Sequence, residues 1–360
     1  MNKLKALSND VFKNKNIVEH KKLWFTVPIV ILFIAIVVFC SFWIASGYFS
    51  GGMNLGIDFT GGSIISVALP EAETQDAQFA VNAAAIEQII QNNLGSPSTR
   101  LVFDDGARTG IQIRYTFADT TPAHVEAQNA LIRSELAAYF NIAIEDVALQ
   151  HIGAAASAQL ITSALLALGV ALVIILVYIA FRFQLWSGIA AIIGQFHDVM
   201  IMFALVIIFR VQMNTNFVAA LITIAAYSTN NTVVVFDRVR ENIKKNEDEG
   251  QKQSVSQVVN KSLSQTLRRS INTTVTTLFS ILLLAIIGVP SIREFAIPVI
   301  FGLIAGFYSS LLIAPSLYVV MFEANERRKK RKASMVKDES AMEKEGGKLS
   351  RKNKKAAKQS

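Results

Sequence analysis

Charged residues are scarce in this chain, and that scarcity sets its class. Asp, Glu, Lys and Arg make up 17% of the 360 residues, whereas 52% are hydrophobic; in soluble domains the charged share is about 25%. Six apolar stretches are long enough to cross the core of a bilayer, which takes about 17–25 residues. This pattern excludes an ordinary soluble protein and predicts six transmembrane spans, at Leu23–Ile44, Leu160–Phe181, Leu185–Phe209, Phe217–Phe236, Ile271–Ile287 and Phe295–Phe322.

Cysteine is nearly absent as well. Cys40 is the only one, so a disulfide within the chain is excluded. It lies in the first apolar run, which is longer than the roughly 7–15 residues of a signal-peptide core and is not closed by a small-x-small cleavage site. We therefore interpret this run as a retained membrane span.

Lysine is missing altogether between residues 45 and 159, a segment that contains twelve acidic residues and four arginines. Basic residues instead flank the opposite ends of the spans and include Lys21, Lys22, Arg182 and Arg238. Because basic flanks stay in the cytoplasm, the sequence predicts that both termini are cytoplasmic and that residues 45–159 are extracytoplasmic.

The segment between the first two spans has the pattern of a folded domain. Alternating strand-like runs and helix-like runs follow each other in the order β-α-β-β-α-β, with turn residues between them. This order is that of the ferredoxin-like α+β unit. The predicted elements are Ser63–Leu69, Asp76–Asn93, Leu101–Phe103, Ile111–Phe117, Pro122–Tyr139 and Val147–Ile152.

The net charge of +8 comes from one end of the chain. From Glu326 to Ser360 there are fourteen Lys or Arg and five Asp or Glu, a net of +9, which leaves −1 for the rest. A basic cluster beside a span indicates contact with anionic lipids and not a specific nucleic-acid site. The predicted organisation is a cytoplasmic segment (1–22), the first span (23–44), the extracytoplasmic domain (45–159), the remaining five spans (160–322) and a basic cytoplasmic tail (323–360).

Polar residues inside the spans are the candidate functional residues. His197 and Asp198 lie midway along the third span, where an acid costs about 2.5–3.5 kcal/mol on insertion scales. A second group shares helix faces of the fourth and fifth spans. Two interpretations stay open for both groups: they hold neighbouring helices together, or they line a hydrated path for ions. The second group comprises Tyr227, Ser228 and Asn231 on the fourth span and Arg269, Thr273 and Thr277 on the fifth.

Several motifs resemble the SecF branch of the SecD/SecF family of protein-export membrane proteins. The run Gly56-Ile57-Asp58-Phe59-Thr60-Gly61-Gly62 looks like that family's signature, carried by Gly56, Asp58, Gly61 and Gly62. His197-Asp198, the run Tyr227–Asn242 and the run Ser264–Arg269 resemble further SecF segments in the same order. Together they extend the resemblance over roughly Leu23 to Phe322.

The resemblance implies a function in protein export from the bacterial plasma membrane. SecF proteins pair with SecD in a fold related to the RND transporters, assist the SecYEG channel with other Sec accessory membrane proteins, and use a proton or sodium gradient to draw unfolded preproteins outward. No cofactor or metal is implied. The positions implied to line or couple to the ion path are Tyr227, Ser228, Asn230, Asn231, Asp198, Asp237, Arg269, Thr273 and Thr277.

One position departs from the family pattern. The family usually has Asn-Asp where this chain has Asn230-Asn231, and that aspartate is the expected proton carrier. An amide does not titrate, so Arg269 has lost its expected counter-charge. Either SecD supplies the acid, or Asp198 does, or the subunit is weakly coupled.

Three alternatives remain beside protein export with SecD. An RND-like exporter of small molecules or lipids fits the number of spans and the loop domain. An uncoupled structural scaffold of the translocase fits the neutral Asn231. An intramembrane hydrolase would use His197, Asp198 and Ser228, but the chain has no G-x-S-x-G elbow, H-E-x-x-H motif or Walker-type loop, and we expect no enzyme.

Overall fold

The structure is a computed structural model, and its elements run in chain order from a long first helix to a long last one. It describes residues 21–47, 49–68, 84–86, 88–90, 92, 100–104, 110–115, 121–250, 253–288, 290–329 and 331–332. The predicted N-terminal segment up to residue 20, most of the predicted helix Asp76–Asn93 and the tail from residue 333 lie outside these residues. The elements are α1 (Lys21–Ser46), a 3₁₀ turn (Phe49–Gly52), α2 (Ile57–Thr60), β1 (Gly62–Ala68), β2 (Arg100–Asp104), β3 (Gly110–Tyr115), α3 (Pro122–Phe140), a 3₁₀ turn (Ile144–Asp146), β4 (Val147–Ile152), α4 (Ala154–Arg182), α5 (Leu185–Ile208), α6 (Thr215–Asp248), α7 (Val255–Ile287), α8 (Pro290–Tyr308) and a π turn (Ser309–Ile313).

Six helices are long and apolar enough to cross a membrane. They are α1, α4, α5, α6, α7 and the last helix, which continues α8 through the π turn to Lys329. Every predicted apolar run falls on one of them, so the prediction of a six-span membrane protein is confirmed. We number these helices as spans one to six.

Spans four and five extend well beyond the lengths predicted from hydropathy. Helix α6 has 34 residues and α7 has 33, about 50 Å each at 1.5 Å per residue. Asn214 caps α6 by accepting a hydrogen bond from Phe217 N, and a capping box of Ser254 and Gln257 starts α7. Their extensions pack as an antiparallel pair in which Asn242 Nδ2 donates to Ser262 Oγ at 2.8 Å.

The centre of the bundle lies between α5, α6 and the last helix. In the most apolar stretch of each helix, 50% of α6 and 61% of the last helix are buried, whereas only 6–11% of α1, α4 and α7 are buried. Small residues bring the central helices together: a Cβ at Gly302 would lie 2.4 Å from Ile224 Cγ1. Spans one, two and five therefore present most of their apolar surface outward.

A small domain is inserted between spans one and two; we call it the inserted domain (residues 62–152). Its four strands form an antiparallel sheet in the order β2-β3-β1-β4. The side chains of Ile65 and Val67 on β1 alternate inward and pack with Ile132 and Leu136 of α3. Tyr115 is buried in this core, where its hydroxyl donates to Asn129 Oδ1 at 2.6 Å. The residues described from the predicted first helix of this domain, 84–86, 88–90 and 92, are helical.

The signature run joins the inserted domain to the start of span four. Gly56 N donates to Met213 O at 2.7 Å, and Asp58 Oδ2 accepts a hydrogen bond from Thr215 N, the first residue of α6, at 2.8 Å. Gly61 and Gly62 follow with φ of 68° and 118°, a region that favours glycine. The signature thus turns the chain into β1 while holding the N-terminus of α6.

Arg210 reinforces the same junction from the end of span three. Its Nη1 donates to Gly52 O at 2.7 Å, and its guanidinium carbon lies 3.9 Å from the centre of the Phe42 ring. Its own carbonyl accepts a hydrogen bond from Asn54 Nδ2 at 2.6 Å. Span one, the end of span three and the segment just before the signature therefore meet at one place.

We expect Gly56→Ala to weaken this junction. A Cβ at this position would lie 2.8 Å from Gln212 Nε2 and 3.1 Å from Met213 O, so the backbone bond to Met213 must lengthen. Overpacking of this kind costs about 1–3 kcal/mol, which will appear as a lower thermal unfolding midpoint of the purified chain. Gly169→Ala is the matched control, because a Cβ there meets no atom within 4 Å. Equal midpoints for the two variants would contradict the assigned role of Gly56.

Candidate functional site

Asp198 is the centre of a polar cluster in the middle of the bundle. Its carboxylate is 1% exposed and lies 2.9 Å, through Oδ1, from His197 Nδ1. Its Oδ2 accepts hydrogen bonds from the hydroxyls of Ser228 on α6 and Ser309 on the last helix, the latter at 2.8 Å. One acid therefore ties spans three, four and six together.

The close approach of the last helix depends on a small residue and a local change of helix type. A Cβ at Gly306 would lie 3.3 Å from Ser228 Cβ and 3.5 Å from Asp198 Oδ2, so a larger side chain would crowd the cluster. Ser309 begins a π turn, in which one extra residue changes the register of the helix. Such turns are frequent at functional sites.

Gln195 adds a second polar link between spans three and four, and it was not among the predicted site residues. Its Nε2 donates to Ala225 O at 3.0 Å, and its Oε1 accepts from Thr229 Oγ1 at 2.8 Å. Gln195 precedes Asp198 by three residues and so shares its helix face. This spacing was the signal in the sequence from which Gln195 could have been predicted. No comparable spacing in the sequence pointed to Ser309.

His197 connects the cluster to span one. Its ring stacks on Tyr308 with centroids 6.2 Å apart and planes at 19°. The Tyr308 hydroxyl donates to Trp24 O at 2.8 Å. Pro28 lies four residues after Trp24 and has no N–H to donate to that carbonyl, so Tyr308 supplies a hydrogen bond that the helix itself cannot.

Residues of α6 and α7 form a second polar region, which we call the α6–α7 seam (Tyr227, Asn231, Ser270, Thr274 and Thr277). Tyr227 OH donates to Thr277 Oγ1 at 3.1 Å, and this antiparallel register places Asn231 level with Thr273 and Thr274. Asn231 Nδ2, Ser270 Oγ and Thr274 Oγ1 are buried and have no hydrogen-bond partner among the described residues. The seam contains no acid.

The other predicted residues of spans four and five face away from the seam. Asn230, Arg269 and Thr273 are exposed on the outside of the chain. Thr273 and Thr277 donate to the carbonyls of Arg269 and Thr273, four residues earlier, at 2.8 and 3.0 Å. Among the described residues, no hydrogen bond or ion pair joins the Arg269 side chain to Asn231 or Asp198.

Asp237 lies at the end of the bundle opposite the inserted domain. Its carboxylate forms an ion pair with Arg182, the last residue of α4. The two side chains are about two-fifths exposed, and solvent-exposed ion pairs contribute only about 0–1 kcal/mol to stability. The structure therefore groups Asp198 with Ser228, groups Tyr227 with Asn231 and Thr277, and leaves Asp237 apart from both.

Chemically, the Asp198 cluster is suited to hold a proton. In the described part of the chain no three His, Cys, Asp or Glu side chains come together as metal ligands would. The cluster instead combines a carboxylate, an imidazole and two hydroxyls, which exchange protons through hydrogen bonds. Of the two polar regions, the Asp198 cluster contains the titratable acid.

Two family profiles match the sequence. The profile described as "Protein export membrane protein SecD/SecF, C-terminal" matches residues 132–324, more than half of the chain. The profile "SecD/SecF GG Motif" matches residues 49–69, which include the junction between the inserted domain and α6. The Asp198 cluster and the signature run thus both fall within matched segments.

Individual relatives and a solved structure agree with these profiles. Protein translocase subunit SecF of Helicobacter pylori is 31% identical over 79% of this chain and 85% of its own length. The SecF of Petrotoga mobilis is 32% identical over 78% and 90%. The crystal structure of SecDF, a translocon-associated membrane protein from Thermus thermophilus, is 27% identical with a TM-score of 0.64 and covers 84% of this chain, which spans only 38% of that longer one. The chain belongs to the SecD/SecF family of protein-export membrane proteins.

Proposed function

We propose that this chain is an accessory subunit of the Sec protein translocase that acts with SecD to promote preprotein export. The observation that carries the proposal is the match to SecF proteins over most of both chains. Similarity to SecDF supports a SecD partner, because this chain corresponds to 38% of that larger protein. The SecYEG channel, other Sec accessory membrane proteins and unfolded preproteins are the further partners that this function entails.

The same proposal places the chain in the bacterial plasma membrane with both termini in the cytoplasm. Basic residues at the ends of spans support this orientation: Arg182 ends α4, and Arg238 and Lys245 lie on the extension of α6. The inserted domain is then extracytoplasmic, on the side where preproteins emerge. The basic tail after residue 326 lies on the opposite side, where anionic lipids attract it.

The inserted domain is, in this proposal, a ferredoxin-like unit. The antiparallel strand order β2-β3-β1-β4 supports it, as does the packing of α3 against β1 and β4. A compact unit of this kind on the exit side offers a surface for an emerging chain. Its junction with α6 gives motions of the domain a direct route into the bundle.

Ion coupling is assigned to Asp198 in this proposal, with or without an additional acid on SecD. Asn231 cannot titrate, and the α6–α7 seam lacks an acid. Asp198 lies in the centre of three packed spans. A charge that crosses the membrane potential supplies about 2.3 kcal/mol per 100 mV, enough for a few ions to bias a domain motion.

We expect residues 62–152 to fold on their own, with Tyr115→Phe as the diagnostic variant. The Tyr115 hydroxyl bonds Asn129 inside the core, and its loss leaves a buried acceptor unpaired at a cost of about 1–3 kcal/mol. Burial raises the pKa of Tyr115, so its stabilising contribution is present below the unfolded-state pKa of about 10 and is lost at higher pH. Circular dichroism melts of the isolated domain at neutral and alkaline pH measure both effects. A random-coil spectrum would refute an independent ferredoxin-like unit, and Tyr139→Phe, with an exposed ring, is the control.

We expect the outer face of α7 to contact SecD, because its exposed Arg269, Thr273 and Ser280 would otherwise meet lipid. Thr273→Phe adds a bulky ring to that face and should reduce the amount of SecD recovered with a tagged chain in mild detergent. Leu166→Phe, on the outward and apolar face of α4, is the control and should leave recovery unchanged. Equal recovery of SecD with both variants would show that the interface with SecD does not lie on this face of α7. Recovery of the natural chain as a monomer would count against a SecD partner.

We expect Asn231→Asp to change gradient-driven export little. Asp198→Asn should instead remove the gradient-driven export that this chain contributes. Release of a preprotein from membrane vesicles, with and without an imposed proton gradient, measures both. Asn231→Leu controls for loss of the amide. If Asn231→Asp created gradient dependence that the natural chain lacks, the chain would be an uncoupled scaffold and the ion-coupling assignment would be wrong.

A further inference from the structure

The hydrogen bonds around Asp198 fix where protons reside in the cluster. Burial disfavours a charged carboxylate at Asp198, and the hydroxyls of Ser228 and Ser309, which both donate to Oδ2, oppose this effect because they favour the ionised form. On the other oxygen, the partner is His197 Nδ1 at 2.9 Å. An ionised carboxylate only accepts, so the proton of the neutral imidazole lies on Nδ1.

This tautomer leaves the second ring nitrogen of His197 as an acceptor. Nε2 is buried and has no hydrogen-bond partner among the described residues. In this state the pair carries one negative charge in the middle of an apolar bundle. One added proton on Nε2 would make the ring an imidazolium beside the carboxylate, bring the net charge to zero and preserve every bond to Asp198.

We propose that the His197–Asp198 pair binds one proton, taken from water at Nε2 of His197, and that Asp198 stays ionised throughout. A hydronium ion supplies the proton: one of its O–H bonds breaks and leaves water, while an N–H bond forms at Nε2. The proposal deepens the ion coupling proposed above, on which its role in export rests. It identifies the imidazole, and not the carboxylate, as the group that gains and loses the proton.

The surroundings of the ring couple this proton to helix packing. Among the described residues, the titratable side chain that stacks on the pair is Tyr308. Span four contributes the Ser228 hydroxyl, and span one contributes the Trp24 carbonyl through Tyr308, with Lys22 two residues earlier. A positive ring favours the aromatic face of Tyr308, so protonation changes the contact that holds the last helix to the first turn of α1.

Solid-state NMR of the full chain in liposomes, with ¹⁵N-labelled histidine, tests the proposal directly. The chain has four histidines, and the signal that disappears in His197→Asn identifies His197. As the pH falls from about 9 to about 4, which spans the usual range of histidine titration, Nε2 should gain a proton in one step while Nδ1 stays protonated and the Asp198 carboxyl ¹³C shift stays that of a carboxylate. A neutral ring protonated on Nε2, or no titration, would overturn the proposal.

Two variants separate proton binding from a purely structural role. Asp198→Asn removes the counter-charge, so His197 should hold the second proton at least about tenfold more weakly. His197→Asn keeps an amide donor near the position of Nδ1 but has no atom that accepts the proton, so the folded chain should lose the pH dependence of gradient-driven export. Retention of that pH dependence in His197→Asn would overturn the proposal. His124→Asn, an exposed histidine of α3, is the matched control.

The two readouts distinguish this proposal from the proposed function. If the His197 titration is present and the chain neither binds SecD nor supports export, the proton site is upheld and the proposed function fails. If SecD binding and gradient-driven export are present and His197 does not titrate, the proton site fails alone.

Discussion

The bundle depends on the requirement that a carboxylate inside a membrane protein must be satisfied by hydrogen bonds. Asp198 meets it with hydrogen-bond partners from three places: its neighbour His197, Ser228 on α6 and Ser309 on the last helix. The two serine bonds fix α6 and the last helix relative to α5, since a shift of either helix by one turn would leave the buried carboxylate without that donor. The small residue at Gly306 and the π turn that begins at Ser309 serve this geometry.

Helix α6 links this cluster to the inserted domain. Its first residue, Thr215, bonds Asp58 of the signature, and Ser228, thirteen residues later, bonds Asp198. At 1.5 Å per residue these contacts lie about 20 Å apart on one rigid element. A motion of either end can therefore be transmitted along the helix, and this is the route by which the proposed proton site would be coupled to the inserted domain.

Much of the fold could be predicted from the sequence. Hydropathy located six spans because each apolar run has at least the roughly 17 residues that a span needs. Turn residues with alternation located β1, β4 and α3 within one or two residues. The extensions of α6 to Asp248 and α7 from Val255 were not predicted, because their polar faces leave no hydropathy signal. What stabilises them is mutual packing, as between Asn242 and Ser262.

For the candidate site, too, some features follow from the sequence and others only from the tertiary structure. The sequence by itself determined that Asp198 is an acid in a span and that Asn231 is a neutral residue, because charge and titration are properties of the residue type. Only the tertiary structure decided that Ser309 and Tyr308 complete the Asp198–His197 cluster, that Arg269 faces outward and that Asp237 pairs with Arg182. These pairings join helices far apart in the chain, so they follow from helix packing and register, which no local pattern encodes.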